Sequence, residues 1–541
     1  MDDSRGTVAV DPGPADAPGG SEAPRPRGVR VARLVGILVP LAVIAWVVTV
    51  RPLSFDGAMN LQVALSLVTD GTYSRSYGGE VIFPSEIQTS SYFLFVSAAG
   101  IAIFGPATFG FQAGGLAFAA GLLTALSWAL PRRRVLLALG PGLLFFATPG
   151  LLWYTVDGYG EGAVAGLVLG SFTLLAAAVT DARPLRKVVA AFTLVGVAVS
   201  VKTVAVAAGP VALVALVVVA RTRGRPVRTT AWAAGAAAVP FAIFEVYRWV
   251  TLGPSGYAAW WSFHVGRVRL QATGTGLAGP EVDRVAKVAD HFHLLSGHTL
   301  VAAEWWLALL VVLPLLAGAL LLLGRRTELP PETRRVALTA LYALGYGLLY
   351  AAWWLAVTST EKAWLRRITI GLLALALAGV LLTWLVAKAT ITRTGPTAIR
   401  LTAVALAAVV GLVLVLVAVA TVPRNVRWMT APSEAEGLTE LATAVAELDE
   451  VGAELYGLGW WSAPVVSLYS GVDLENLGTT AVCESPVREV IESGSAFLIW
   501  DQYAQGLRSP EPSFRGVTFV ATDVVTYYGT IWQVELLDDT C

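Results

Sequence analysis

Long apolar runs are the feature that most limits the folds open to this chain. Runs of about 20 residues, the length that a helix needs to cross a bilayer, recur along most of the sequence. Of its 541 residues, 56% are hydrophobic and only 14% are charged, whereas soluble domains carry about 25% charged residues. The sequence therefore predicts an α-helical polytopic membrane protein with about eleven transmembrane helices, near residues 31–50, 108–130, 135–153, 162–180, 187–203, 204–220, 231–250, 301–323, 336–357, 365–388 and 400–422.

The distribution of Lys and Arg predicts how these spans are oriented. Cytoplasmic loops of membrane proteins are enriched in basic residues. Here basic clusters precede the first predicted span and follow the second, fourth, sixth, eighth and tenth. All of them lie on one side if the N-terminus is cytoplasmic and the number of crossings is odd. We therefore expect a multi-pass protein of the cell membrane with a cytoplasmic N-terminus and an extracytoplasmic C-terminus.

One apolar segment does not fit this count. Residues 89–104 are apolar enough to form a span, but a crossing there would move the basic cluster at 132–134 to the outer side. Gly105-Pro106 directly follows the segment, and irregular backbone at membrane depth is tolerated where it is buried in protein. We predict that residues 89–104 form a juxtamembrane or re-entrant helix at the outer surface.

The segments outside the spans predict three parts of the chain. Residues 1–28 are rich in Pro, Gly, Asp and Ala, a composition typical of a disordered tail, here cytoplasmic. Residues 29–422 form the membrane domain, with outer loops at 51–107 and 251–300. Residues 423–541 lack long apolar runs and are expected to form a small extracytoplasmic α/β domain, with a helix from about 433 to 450 and strands near 453–458, 496–500, 517–521, 524–528 and 531–536.

Both cysteines, Cys483 and Cys541, lie in this last segment. An oxidising compartment would allow a disulfide bond between them, and two unpaired thiols are the alternative. The chain contains no phosphate-binding loop and no nucleic-acid motif. We therefore expect membrane lipids but no nucleic acid among its partners.

Ionisable residues near the outer membrane face are the candidates for chemistry, because charge at membrane depth is costly and marks functional sites. Asp56 opens the first outer loop, just before an apolar-faced segment that ends at Gly71 and predicts an amphipathic interfacial helix. Asp56 either caps this helix or acts as a proton acceptor. Asp157 and Glu161 lie in a glycine-rich turn too short to leave the membrane surface, where they are either solvated charges or catalytic acids.

Three basic residues on the same side break the positive-inside pattern. Lys202 lies where two predicted spans meet without a polar loop, so it either snorkels to the interface or holds a lipid phosphate. Arg366 and Arg367 follow Glu361 in another outer turn. Arginine binds phosphate in a fixed geometry, and an ion pair with Glu361 is the alternative.

Aromatic and histidine residues crowd the outer loop 251–300. Trp260 and its neighbours either stack on a sugar or form an interfacial belt, and His264 lies among them. The spacing of His291, His293 and His298 matches no zinc signature. We therefore predict no metal site and no cofactor.

The order of these motifs resembles the GT-C superfamily of polyprenyl-phosphate-sugar-dependent glycosyltransferases, which includes protein O-mannosyltransferases and aminoarabinose transferases. The motifs are Asp56 before a helix ending Gly-x-Tyr, then Phe83-Pro84-Ser85-Glu86-Ile87-Gln88-Thr89, the acidic turn, Lys202-Thr203 and Glu361-x-x-x-x-Arg366-Arg367. The similarity covers about residues 30–425, and Tyr456–Pro464 is similar to the C-terminal domain of bacterial members. Where members often carry two adjacent acids after the first span, this chain has Asp56-Gly57.

The resemblance implies a role for each candidate residue. Asp56 would be the catalytic base, with Asp157 or Glu161 as the second acid. Lys202 or the Arg366–Arg367 pair would bind the donor phosphate. The substrate-binding residues would be Glu86, Trp260, His264 and Glu361.

The predicted function is transfer of a sugar from a polyprenyl-phosphate donor to an acceptor hydroxyl on a glycan, lipid or protein at the outer membrane face. The alternative is a polytopic transporter or lipid flippase of the cell envelope. Transporters tend to place charges near the bilayer midplane within repeated halves, whereas these charges cluster at one face and the sequence shows no repeat. The glycosyltransferase hypothesis therefore accounts better for the pattern.

Overall fold

The computed structural model of the protein describes residues 27–77, 80–84, 87, 89–131, 135–223, 226–273, 284–299, 301–324, 329–357, 365–392, 396–431, 434–457, 463–476, 485–501, 511–512, 517–526 and 528–537. The helices of the N-terminal part are α1 (Arg27–Val50), α2 (Phe55–Thr69), α3 (Tyr92–Phe104), α4 (Thr108–Ala129), α5 (Val135–Ala138), α6 (Gly140–Ala147), α7 (Leu151–Val156), α8 (Glu161–Ala178), α9 (Pro184–Val201), α10 (Gly209–Arg223), α11 (Pro226–Thr273), α12 (Arg284–His298), α13 (Ala303–Gly324), α14 (Pro331–Val357), α15 (Leu365–Ile391) and α16 (Thr397–Thr430). A 3-10 helix, Thr203–Ala208, links α9 to α10, and the two short strands β1 (Ser74–Arg75) and β2 (Val81–Ile82) pair in the first outer loop.

Within the described residues, ten helices are long and apolar enough to cross a membrane. They pack through α4 on α8, α8 on α9, α9 on α11, α14 on α15, and α15 on α16. The predicted fold class, a helical polytopic membrane protein with a small C-terminal α/β region, is confirmed. The chain is therefore a multi-pass membrane protein.

The predicted span 135–153 is wrong as a single continuous helix. The segment forms the three short helices α5, α6 and α7. Pro141 lies in the first turn of α6, where proline is tolerated because it has no N–H to donate. Gly150 then takes a left-handed conformation with φ of 75° at the N-terminus of α7. These two residues interrupt the apolar run and place α7 beside the acidic turn that follows it.

The structure bears on three predictions for the segments 51–107 and 251–300, which the sequence predicts to be outer loops. Helix α3 is a short apolar helix of 13 residues, in agreement with the helix expected at 89–104. Helix α2 is not an interfacial amphipathic helix, because residues 57–64 are buried on every face. The predicted loop 251–300 is largely helical, since α11 continues through a bend at Gly253, where φ is 67°, and α12 follows.

The C-terminal part contains helices α17 (Glu434–Glu450), α18 (Ala463–Ser470) and α19 (Ser485–Glu492), with strands β3 (Glu454–Gly457), β4 (Glu475–Asn476), β5 (Ala496–Asp501), β6 (Val517–Val525) and β7 (Gly529–Leu536). The sheet has the order β4-β3-β5-β7-β6, in which β3 is parallel to β4 and β5, and β7 is antiparallel to β5 and β6. The two strands predicted at 517–521 and 524–528 are one strand with an irregularity between Ala521 and Val525. Cys483 and Cys541 lie outside the described residues.

The C-terminal part packs directly on the first outer loop, and this contact explains the burial of α2. The amide nitrogen of Gln62, in α2, lies 3.4 Å from both the carbonyl oxygen of Pro464 and the hydroxyl of Ser467 in α18. Arg51 donates to the carbonyl oxygens of Trp428 and Ala431. A face of α2 that would otherwise meet lipid or water is therefore covered by protein.

Candidate active site

The acidic turn between α7 and α8 is built on glycine. Gly158 and Gly160 have φ values of 73° and 78°, in the region that glycine adopts without a steric penalty. A side chain at Gly57 would overlap the carbonyl oxygen of Asp157, so glycine there lets the first turn of α2 approach this turn closely. Asn60 then donates to the carbonyl oxygen of Gly158 over 3.0 Å. The turn and the start of α2 form one unit.

Asp56 lies in the first turn of α2, and the N-cap residue is Ser54. The expectation that Asp56 caps the helix is therefore wrong, although its carboxylate is favourably placed beside the positive end of the helix dipole. The guanidinium of Arg366 donates to the Oδ2 atom of Asp56. Arg366 is in the first turn of α15 and is 3% exposed. Two helices more than 300 residues apart in the chain thus bring a carboxylate and a cation together.

Lys202 forms the second ion pair of the site. It is the C-cap residue of α9, and its ammonium lies 2.5 Å from the Oε1 atom of Glu161, the first residue of α8. The same ammonium donates to the carbonyl oxygen of Tyr159 over 3.1 Å. The lysine side chain is 15% exposed and that of Glu161 only 3%, so the pair lies in protein and does not extend into solvent.

Tyr159 connects the two ion pairs. The guanidinium carbon of Arg366 lies 4.6 Å from the centre of the Tyr159 ring, within cation–π distance. Its carbonyl oxygen accepts from Lys202, and its hydroxyl accepts from the Ser54 hydroxyl over 2.8 Å. One neutral residue therefore fixes the position of both cations.

Asp157 is a further buried acid beside this cluster, at 3% exposed. Its Oδ1 atom accepts the backbone N–H of Ser54, and its Oδ2 atom accepts the indole N–H of Trp153 over 3.2 Å. Burial, with a smaller contribution from the Asp56 carboxylate nearby, raises the pKa of the Asp157 carboxyl to about 7 against the opposing effect of these hydrogen bonds. Asp157 is therefore suited to hold or release a proton near neutral pH.

Trp260 and His264 lie in a second cluster, built around Arg248 of α11. Their rings stack with centres 4.8 Å apart, and the guanidinium carbon of Arg248 lies 3.6 Å from the centre of the Trp260 ring. Arg248 pairs with Glu245 over 2.7 Å. The indole N–H of Trp260 donates to the carbonyl oxygen of Phe83 over 2.8 Å. This cluster joins the bent helix α11 to the first outer loop.

The remaining candidates are not part of the Asp56 cluster. Arg367 lies over the ring of Trp354, 5.0 Å from its centre, and Trp354 donates its indole N–H to the Nε2 atom of His291 over 3.0 Å. Glu86 and Glu361 are outside the described residues. Among the residues that are described, no group of three or more His, Cys, Asp and Glu side chains is placed to hold a metal ion.

A cavity of about 320 Å³ lies between α6 and helices α12 to α16. Apolar side chains form most of its wall, with Thr148, Pro149, Trp354 and Ile368 among its lining residues. Pro149 and Gly150 lead into α7 and the acidic turn, and Ile368 is two residues from Arg366. The cavity is therefore lined in part by the segment that precedes α7 and by α15, the helix that carries Arg366.

Sequence reasoning missed two residues that organise these clusters. Tyr159 was noticed only as part of the acidic turn, although its position between two glycines could have indicated a backbone carbonyl that is open to a partner. Arg248 lies in an apolar run, and an arginine at membrane depth is the signal that could have identified it. Both cations at membrane depth, Arg248 and Arg366, stack on aromatic rings.

Comparison with known proteins adds evidence on the fold alone. No family model matches the sequence, and no curated protein matches it. The structure is similar to that of ArnT from Cupriavidus metallidurans bound to undecaprenyl phosphate, with a TM-score of 0.54 and 15% identity over 93% of this chain and 98% of that chain. The apo state of the same protein gives a TM-score of 0.52 and 12% identity over 92% and 97% of the two chains. This chain therefore shares the fold of ArnT, which agrees with the fold that the sequence resemblance implied.

Proposed function

We propose that this protein is a membrane glycosyltransferase that takes a sugar from a polyprenyl-phosphate-linked donor and transfers it to an acceptor hydroxyl. The observation that carries the proposal is the pair of buried cations, Lys202 and Arg366, which both contact Tyr159 and each have a carboxylate beside them. Fixed cations and acids in one enclosed site suit a reaction in which a phosphate leaves and a hydroxyl loses a proton. The GT-C fold and the bound lipid phosphate of its structural neighbour support the same chemistry.

The reaction assigns a role to each of these groups. The acceptor oxygen forms a bond to the anomeric carbon of the sugar while the bond from that carbon to the phosphate oxygen breaks. The hydroxyl proton passes to a carboxylate, and polyprenyl phosphate leaves with the bonding electrons. Lys202 and Arg366 stabilise the negative charge that develops on the leaving phosphate, and a positioned base contributes about 10²–10⁴-fold to such a step.

Asp56 is the acid best suited to be the base. Its side chain is 18% exposed, whereas that of Glu161 is 3% exposed, so an acceptor reaches Asp56 more readily. Asp157 is bonded to Ser54 and Trp153 and is the second acid, which holds the turn against α2. In this proposal Arg367 and Trp354 lie at the cavity and contact the lipid part of the donor.

The apolar cavity is the proposed site for the first isoprene units of the donor. Its wall is mostly apolar, and its lining includes Thr148 and Pro149, which precede α7, and Ile368 of α15. A polyprenyl chain in this cavity would place its phosphate toward Arg366. Trp260, His264, Glu86 and Glu361 remain candidates for contacts with the sugar or the acceptor.

The proposal includes an orientation of the chain. The N-terminal segment 1–28 would be cytoplasmic, and residues 423–541 would form an extracytoplasmic domain over the membrane part at 29–422. The distribution of basic residues supports this arrangement. Asp56, Asp157, Glu161, Lys202 and Arg366 would then all act at the outer face, where lipid-linked sugars meet cell-envelope acceptors.

Donor turnover by the full-length protein in liposomes tests the proposal. Polyprenyl-phosphate-linked hexoses and pentoses are supplied with an extract of envelope lipids and glycans, and mass spectrometry follows release of polyprenyl phosphate and addition of the sugar to an acceptor. We expect turnover with one donor class, its loss in Asp56→Asn, and normal turnover in Asp181→Asn, a matched change in an ion pair with Lys187 that follows the C-terminal end of α8, the end opposite to Glu161.

Two results would contradict the proposal. One is the absence of turnover with every donor together with an unchanged set of envelope glycans when the gene is deleted. The other is movement of the intact lipid-linked sugar between leaflets without cleavage, which is the behaviour of a transporter or flippase.

A further inference from the structure

The ion pair of Arg366 with Asp56 lies at the N-terminus of a helix. Arg366 is in the first turn of α15, where the helix dipole presents positive charge and disfavours a cation. A guanidinium buried at that place needs an anion beside it, because a buried charge without a partner is costly. In this structure Asp56 is that anion.

The ion pair with Arg366 engages one carboxylate oxygen of Asp56, the proposed base. The Oδ2 atom of Asp56 accepts from the Nη1 atom of Arg366, so this oxygen is engaged and is not presented to an acceptor hydroxyl. Tyr159 supports Arg366 on the face of its ring at 4.6 Å. Because Tyr159 is held by Ser54 through its hydroxyl, the guanidinium keeps its support whichever anion it binds.

We propose that Asp56 and the donor phosphate compete for Arg366, so that donor binding releases the Asp56 carboxylate to the acceptor hydroxyl. This inference rests on the proposed function, and it adds an order of events to it. The donor binds first, and its phosphate replaces Asp56 as the partner of Arg366. Only then is the Asp56 carboxylate released from the guanidinium to act as the base. Lys202 keeps its neutral contact to the Tyr159 carbonyl and provides the second donor to the phosphate.

The same competition controls release of the product. When the acceptor proton has moved to Asp56, the neutral carboxyl no longer attracts Arg366, and the guanidinium stays on polyprenyl phosphate. When Asp56 loses that proton to solvent, its carboxylate again competes for Arg366. Deprotonation of Asp56 therefore favours departure of the product and restores the resting ion pair.

Binding of decaprenyl phosphate to the full-length protein in lipid nanodiscs tests this inference. We expect Asp56→Asn to bind the probe about tenfold more tightly than wild type, which corresponds to about 1.4 kcal/mol, although the variant does not transfer sugar. This gain in affinity should disappear when Asp56→Asn is made in an Arg366→Ala background, because the guanidinium for which the carboxylate and the phosphate compete is then absent. Such a double-mutant cycle isolates the interaction between the two sites. Asp181→Asn, which removes one carboxylate from another ion pair, should leave the dissociation constant unchanged.

The possible outcomes separate this inference from the proposed function. If wild type binds decaprenyl phosphate but Asp56→Asn binds it equally or more weakly, the competition is refuted and the proposed function stands. Equal tightening with and without Arg366 would also refute it, since that result indicates a general effect of removing negative charge. If wild type does not bind decaprenyl phosphate, the proposed function itself fails.

Discussion

Replacing Lys202 by Met separates what the lysine contributes to folding from what it contributes to donor binding. Its ammonium lies 2.5 Å from Glu161, whose side chain is 3% exposed. The single variant Lys202→Met leaves that carboxylate buried without its cation. Removing one partner of a buried ion pair costs about 3–5 kcal/mol, so we expect a clear fall in the unfolding temperature.

The double variant Glu161→Gln with Lys202→Met should recover most of this stability. Replacing both partners of a buried pair by neutral residues of similar size is often close to neutral. Donor affinity should not recover, because a hydrogen bond to a charged group contributes about 1.5–3 kcal/mol. That loss corresponds to an increase of about one to two orders of magnitude in the dissociation constant.

Thermal unfolding of the purified protein and titration with decaprenyl phosphate measure the two effects. Lys187→Met is the control, because Lys187 pairs with Asp181 at a partly exposed position and should alter neither quantity. A double variant that binds the lipid as tightly as wild type would show that Lys202 is purely structural. A double variant as unstable as the single one would refute the account of the buried pair.

Four further predictions follow from the same geometry. Asp56→Asn should lower turnover by at least about 10²-fold while size-exclusion behaviour is unchanged, and near-normal turnover would exclude Asp56 as the base. Alkaline phosphatase fused after residue 541 should be active if residues 423–541 are extracytoplasmic, and activity of a cytoplasmic reporter there instead would overturn the orientation. The folded-state pKa of Asp157, about 7, is above its usual value of about 3.9, so between these values the folded state binds a proton that the unfolded state has lost. The free energy of unfolding should therefore fall as the pH rises from about 4 to about 7. Asp157→Asn should flatten that part of the curve of stability against pH, and an unaltered curve would contradict the assignment. Tyr159→Phe should bind decaprenyl phosphate nearly as wild type does, whereas Tyr159→Leu should bind it several-fold more weakly because the cation–π contact is lost, and equal affinities would remove Tyr159 from the site.

The membrane part of the fold was predictable because its signal is local. A run of about 20 apolar residues predicts a spanning helix, and the structure has such helices at Gly28–Val50, Leu365–Ile391 and eight other places among its described residues. The run at 135–153 misled the prediction for the same reason, since hydropathy does not register Pro141 and Gly150 as helix ends.

The position of α2 was not predictable from its own residues. Its apolar face suggested an interfacial helix, and only the packing of α18 against Gln62 shows that the opposite face is covered as well. The covering residues come about 400 positions later in the chain. A periodic pattern reports which face is apolar, but it does not report whether protein, lipid or water meets the polar one.

The sequence indicated which charged residues belong to the candidate site, but it did not indicate which of them form ion pairs with each other. Charges that violate the expected distribution identified Lys202 and Arg366, because that argument needs only the topology. Their partners depend on how helices cross in space, and the ion pair of Arg366 with Asp56 joins positions too far apart in the chain for the sequence to indicate it. Gly57, which departs from the resemblance, is explained by the carbonyl of Asp157 that lies against it, so in the proposed site the second acid is taken from the turn and not from the neighbouring position.

The proposed site, which would bind an anion in a low-dielectric region, faces two opposing requirements. The protein folds before its donor arrives, so each buried cation needs a resident counter-ion, since an unpaired charge in that environment is costly. The resident carboxylate then competes with the phosphate and weakens donor binding. Tyr159 reconciles the two requirements, because its ring and carbonyl are neutral contacts to Arg366 and Lys202 that remain while the anions exchange. Under the proposed function, a neutral residue in contact with both cations would therefore let one geometry serve both the empty and the donor-bound protein.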